Sequence, residues 1–215
     1  MQKILFVLLL FCIVSFKMVN AQIKGVKLGF ALSQTIGVDL PKYVYNTYNP
    51  YVEIYYNHRF TKGIYWHQGL SYIRLGNKMT DEIPVEIIET YKITERFHYL
   101  QFPLALKFGN EAVRLRYYIY LGADPSVMFY FYRQTEAWAG TIPVNADRYY
   151  PFDVRRFDLR PMIGGGFYYK KIITEFKFAT GFFNIYTNHS APGARNRVFT
   201  IMLGYQISNS KGKRW

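Results

Sequence analysis

Thiol chemistry is almost closed to this chain. Its 215 residues hold one cysteine, Cys12, and that residue lies in an N-terminal segment that reads as a secretory signal. Lys3 supplies a positive start, Ile4 to Phe16 an apolar stretch, and Val19-Asn20-Ala21 a cleavage site of small or modest residues. Residues 1–21 are therefore expected to be a signal peptide, and residues 22–215 one mature domain. A membrane-anchoring helix is the competing reading. The run falls short of the ~20 apolar residues a helical span requires, and Lys17 interrupts its end. A lipoprotein reading fails as well, because Phe11 precedes Cys12 where a small residue is needed. Without Cys12 the mature chain has no disulfide framework and no thiol-based metal or catalytic site.

Other features are scarce too. No later stretch approaches a helical membrane span. His58, His67, His98 and His189 are scattered without ligand spacing, so no metal is expected, and no cofactor motif is present. Gly164-Gly165-Gly166 opens no helix and is not a phosphate loop; it suits close strand approach or a bend. Acidic residues number 14 against 27 Lys and Arg, a net charge of +13. Cleavage, which removes Lys3 and Lys17, leaves about +11. Nucleic acid is a standard partner for such a charge, but an exported chain without a recognition motif argues against it. The anionic phosphates of outer-membrane lipid and lipopolysaccharide are the expected partners.

What is abundant is aromatic: 21 Tyr and 18 Phe. The mature chain alternates with a period of two, which sends successive side chains to opposite faces of a strand. Val26, Leu28, Phe30 and Leu32 oppose Lys27, Gly29, Ala31 and Ser33. Leu100, Phe102, Leu104, Leu106 and Phe108 oppose Gln101, Pro103, Ala105 and Lys107. Ile172, Thr174, Phe176 and Phe178 oppose Glu175, Lys177, Ala179 and Gly181. Phe199, Ile201, Leu203 and Tyr205 oppose Thr200, Met202, Gly204 and Gln206. One face is large and apolar, while the other is small, glycine-rich or charged. A soluble sandwich would carry a longer polar outer face with fewer glycines. A lipid-facing barrel with a narrow lumen has this composition; a lipocalin-like soluble barrel is the alternative.

The connections alternate in length. Thr61-Lys62-Gly63, Gly109-Asn110-Glu111 and Lys170-Lys171 are tight turns. About Gln34 to Asn49, Asn77 to Lys92, Tyr132 to Arg156 and Asn184 to Asn196 are long. This rhythm predicts an all-β, eight-stranded antiparallel up-and-down transmembrane barrel, with both termini and three turns in the periplasm and four loops outside. Ten strands would need a further hairpin within Tyr132 to Arg156. Pro103 cannot donate to a ladder, so a local bulge is expected there.

Three stretches also resemble a known family. Tyr99-Leu100-Gln101-Phe102-Pro103-Leu104-Ala105-Leu106-Lys107 resembles the Y-L-x-x-P-L-x-x-K strand of PorT-like outer-membrane β-barrel proteins of Bacteroidota. Asp158 to Gly166 resembles their sixth strand and Asn196 to Tyr205 their closing strand. The resemblance implies an outer-membrane location, about eight strands and, for most members, no assigned function. It raises an envelope or secretion protein as a partner, since the founding member is linked to protease secretion, but fold alone does not transfer that role. Ser208 to Arg214 extend past the closing strand before Trp215, a departure from barrels that end on an aromatic of the last strand.

Two sets of residues are candidates for function. Glu53, Arg59, His67, Lys107, Arg116, Asp124, Asp158, Arg160, Glu175 and Lys177 are read as facing inward, forming either an ion path or a paired network that fills the lumen. Burying an unpaired charge costs several kcal/mol, and eight strands leave a lumen that side chains can fill; the filled lumen is favoured. Arg133, Trp138, Arg148, Arg155 and Arg156, with Tyr149 and Tyr150, are read as the third outward loop, and Arg195 and Arg197 as the end of the fourth. They suit phosphate, glycan or protein contacts, or simply mark the headgroup zone. His189-Ser190 hints at a lipid-A-modifying enzyme, but adjacent residues of an extended segment point apart and no acidic residue follows to orient the histidine. The expected function is a non-enzymatic barrel presenting loops or supporting the envelope, with a small passive pore as the alternative.

Overall fold

Tyr, Phe, Ile, Val and Thr favour extended backbone, and where they alternate with small or polar residues the chain forms strands with two unlike faces. The computed structural model describes residues 23–37, 43–81, 90–110, 115–139, 142–144, 154–187 and 193–209. The segment 1–21, Arg148, Tyr149, Tyr150, His189, Ser190 and the tail 210–215 lie outside the described residues. The strands are β1 (Ile23–Ile36), β2 (Tyr43–Tyr45), β3 (Thr47–Thr61), β4 (Ile64–Asp81), β5 (Thr90–Gln101), β6 (Leu104–Gly109), β7 (Leu115–Ala139), β8 (Ile142–Val144), β9 (Phe157–Tyr169), β10 (Ile172–Thr180) and β11 (Arg195–Asn209).

These pair into a closed ring. β1 lies between β3 and β11. From β3 the ladder passes to β4, then to β5 and β6, and on to β7, β9, β10 and back to β11. Every pairing is antiparallel. β5 and β6 are two halves of one stave, so the barrel has eight. Ring closure gives each of the eight staves a partner on both sides over most of its length, which protects strand edges from aggregation. β2 and β8 are short flaps on β4 and β7. β8 occupies the one place where a ten-stranded barrel was conceivable, and among the described residues it pairs only with β7.

The outer wall is apolar. Leu28, Phe30, Val52, Ile54, Ile119, Leu121, Ile163, Phe176, Ile201 and Leu203 are all exposed, while their neighbours Lys27, Glu53, Tyr120, Met162, Glu175 and Met202 are buried. Such a surface is tolerable only against lipid. Gly164 and Gly166 lie opposite Tyr120 and Tyr118 of β7, and a Cβ on either would collide with those rings. The triple glycine thus admits two tyrosines into a crowded lumen.

Two expectations need correction. The strands run past the predicted loop boundaries: β4 continues to Asp81, β7 to Ala139, and β5 begins at Thr90. Beyond the lipid edge the ladder persists, but the outward positions become polar and the alternation fades. Pro103 causes no bulge. The ladder is interrupted at Phe102 and Pro103, yet Ser71↔Gln101 and Gln68↔Leu104 keep one register across the gap, and the Pro103 carbonyl accepts from Gly69 N at 3.0 Å. The bulge lies nearby instead, where the pairing with β5 shifts between His98 and Tyr99 and Phe129 and Tyr130 of β7 both face outward.

Gly164→Val is expected to block closure of the barrel, because the new side chain would occupy the space of the Tyr120 ring. The check is the heat-dependent gel shift after refolding into lipid: the wild type shifts and the variant does not.

Candidate functional site

The lumen gathers the charged residues that the alternation sends inward, and it orders them from one end to the other. Near the middle, Glu175 of β10 is the hub. Its two oxygens accept from Lys27 Nζ at 3.0 Å and Lys107 Nζ at 3.1 Å, and the Tyr118 hydroxyl donates to it at 2.5 Å. Lys27 also lies 3.2 Å from Glu53. Glu53 in turn accepts from the Tyr51 hydroxyl at 2.6 Å and meets His67 Nε2 at 2.8 Å. The other ring nitrogen of His67 is 2.7 Å from Asn57 Oδ1, and Asn57 donates to Tyr168 at 3.2 Å. Lys177 pairs with Asp124 at 2.8 Å and donates to the Tyr51 oxygen at 3.3 Å. Three lysines therefore meet three carboxylates, and all six groups are buried.

Aromatic faces complete the enclosure. Lys107 lies 4.6 Å from the Tyr118 ring centroid, Lys177 4.7 Å from that of Tyr51 and Lys27 4.9 Å from that of Tyr55. Each cation gains from the ring quadrupole as well as from its counter-charge.

Toward the end bearing the long connections the filling changes character. Arg160 lies over the Tyr99 ring at 4.7 Å, with Asp158 3.4 Å from its Nε. Around them packs an apolar layer that includes Ile73, Leu75, Phe97, Met128 and Met202. Ile185 and Tyr186, from the connection after β10, enter this layer and are buried. The Tyr186 hydroxyl reaches Glu95 of β5 at 2.5 Å, and Glu95 is also bound by Arg133 at 2.6 Å. Side chains of the connection after β10 thus lie inside the barrel at its loop end.

Eight of the ten inward charges read from the sequence thus lie buried within the barrel: Glu53, His67, Lys107, Asp124, Asp158, Arg160, Glu175 and Lys177. Arg59 and Arg116 are half-buried near the turn end. Arg59 Nε donates to the Thr61 carbonyl at 3.3 Å, and Arg116 lies 5.1 Å from the Tyr168 ring. The set omitted Lys27, Glu95 and Tyr186. It also misplaced Arg133, which was assigned to an outward loop and instead faces Glu95 inside. The bulge at Phe129 and Tyr130 inverts the alternation, so a strict count from Asp124 puts Arg133 on the wrong face. Arg155, Arg156, Arg195 and Arg197 are exposed at the loop end. Trp138 lies in β7 opposite Thr90, and its side chain is outside the described residues. Among the described residues no group of three His, Cys, Asp or Glu side chains is arranged to hold a metal.

Comparison with known proteins gives the following. Residues 20–187 match the family model described as an outer membrane protein beta-barrel domain. Among solved structures, the attachment invasion locus protein Ail of Yersinia pestis is similar over 86% of this chain and 98% of its own, with 11% identity and a TM-score of 0.43. Ail has also been crystallised with the heparin analogue sucrose octasulfate. Neisserial surface protein A is similar over 85% of this chain and 96% of its own, with 9% identity and a TM-score of 0.37. The translocator domain of the autotransporter NalP from Neisseria meningitidis is similar over 89% and 91%, with 7% identity and a TM-score of 0.36. No curated protein matches the chain.

Glu175→Ala is expected to destabilise the folded barrel by ~3–5 kcal/mol, because it leaves Lys27 and Lys107 buried with less counter-charge. Urea unfolding from lipid vesicles, followed by tryptophan fluorescence, measures the loss.

Proposed function

Because the chain belongs to the outer membrane protein beta-barrel family, and is an integral outer-membrane protein, we propose that it is a non-enzymatic, non-conducting scaffold that presents its loop end for interaction. The observation that carries this reading is the filled lumen. Opposite walls are joined through Lys27, Glu53, Lys107 and Glu175, and Tyr186 closes the loop end by reaching across to Glu95. An ion path would need a continuous file of water; here Lys27, Lys107 and Lys177 are matched by Glu53, Glu175 and Asp124, and an apolar layer packs beyond them toward the loop end.

With the interior occupied, chemistry available to partners lies at the rim. Arg155, Arg156, Arg195 and Arg197 are exposed there, and guanidinium groups match phosphate and carboxylate geometry. Lipopolysaccharide phosphate and an envelope or secreted protein are the partners this rim suits. The motif resemblance at Tyr99–Lys107 and Asp158–Gly166 supports assignment to the PorT-like branch of such barrels.

Single-channel recording on heat-modifiable, folded protein in a planar bilayer tests the scaffold reading. The expected result is silence. Steady, reproducible steps would overturn it and make the lumen charges the functional site.

A further inference from the structure

The barrel wall is incomplete in one place. β3 and β4 pair from Thr61↔Ile64 up to Tyr51↔Ile73 and then part. Above that point β3 stays with β1 as far as Thr47↔Ser33, while β4 stays with β5 as far as Asp81↔Tyr91. Between Ile73 and Lys78, where β2 joins β4, backbone groups of β4 are left without a strand on this side, and side chains take over. Ser33 Oγ accepts from Gly76 N at 3.0 Å, and the Thr47 hydroxyl donates to the Gly76 carbonyl at 2.8 Å. A cleft of about 240 Å³ opens at this seam.

The cleft is cationic by construction. Arg74 and Lys78 flank Gly76 on the outward face of β4, and Arg96 of β5 is directly opposite Gly76. Three long cations therefore surround a position with no side chain. Arg74 is oriented by its Nε, which donates to Asn49 Oδ1 at 3.1 Å. Among the described residues none of the three makes an ion pair. The one carboxylate of the cleft, on Glu95, is buried and already held by Arg133 and Tyr186; its charge is not free to repel an anion.

The height of the cleft matters as much as its charge. The outward face of β4 runs Trp66, Gln68, Leu70, Tyr72 and then Arg74. That of β5 changes from Leu100 and His98 to Arg96 and Lys92. Arg74 lies ten residues beyond Ile64. With a rise of ~3.3 Å per residue and a strand tilt near 40°, this is ~25 Å from the turn end, about the height of the apolar band of such barrels. Tyr48, which also lines the cleft, is exposed there as an interfacial aromatic. The cleft thus lies at headgroup level, between the outward Arg74, Lys78 and Arg96 and the inward Asn49 and Glu95.

We propose that the β3–β4 seam binds one phosphate group, carried by an anionic lipid headgroup of the loop-end leaflet, through Arg74, Lys78 and Arg96. The site is on the outer wall and does not depend on whether the lumen conducts. Its test uses the full chain folded into phosphatidylcholine vesicles with phosphatidylglycerol, followed by gentle detergent release and native mass spectrometry. The wild type should retain one phosphatidylglycerol in preference to phosphatidylcholine. The combined variant Arg74→Gln, Lys78→Gln, Arg96→Gln should fold, shown by its gel shift, and lose that retention by ~10- to 100-fold. A variant losing as much charge at the turn end (Lys62→Gln, Lys170→Gln, Lys171→Gln) should retain it. Inorganic phosphate, added to the protein in pure phosphatidylcholine vesicles and separately in those containing phosphatidylglycerol, distinguishes the sources. Weak or no binding of the ion supports a headgroup, whereas phosphate that binds and displaces phosphatidylglycerol assigns the site to the free anion and overturns the lipid assignment. Equal retention by the seam variant, or equal loss by the turn-end variant, overturns the proposal.

Discussion

Everything in this barrel follows from the cost of charge in a narrow, closed lumen. Eight staves leave an interior that side chains can fill, with little room for water to solvate an isolated ammonium or carboxylate. The carboxylate of Glu175 meets this constraint by accepting from Lys27, Lys107 and Tyr118 together. Because Lys27 comes from β1, Lys107 from β6, Tyr118 from β7 and Glu175 from β10, one ionic cluster connects staves around the ring. The same groups that would be intolerable singly become cross-braces when matched. The proposal that partners are met at the rim rests on this matching.

The irregular places in the ladder are the ones that carry distinctive chemistry. The bulge at Phe129 and Tyr130 puts two adjacent aromatics toward lipid and, by inverting the alternation, turns Arg133 inward to Glu95. Glu95 in turn anchors Tyr186 inside the loop end. The parting of β3 from β4 does the opposite: it opens a cleft in the wall beside Gly76, whose flanking positions carry three cations. Regular pairing would have hidden both features, because a continuous ladder leaves neither an inverted face nor a gap.

The eight-stave wall was legible because lipid on one side and a crowded lumen on the other impose unlike demands on alternate residues. Lys107, Glu175 and Lys177 could be assigned inward from their Phe and Leu neighbours alone. Lys27 stood on the same polar face and differed only in not being singled out. Tyr186 was not legible at all: it lies in a segment with no periodicity, and its burial depends on a partner 91 residues earlier. Nor could Pro103 be read correctly, since whether a proline breaks register depends on the strands on both sides of it.

Alternation, glycine placement and the spacing of turns determined from the sequence alone that the chain is a small barrel with an apolar exterior and a charged interior. Those are local properties, set within a few residues of each strand. Which charge meets which, where the alternation inverts and where two staves separate were decided only by the closed ring. These depend on the register between strands distant in the chain, and ring closure is what brings Lys27, Glu53, Lys107 and Glu175 within hydrogen-bond reach.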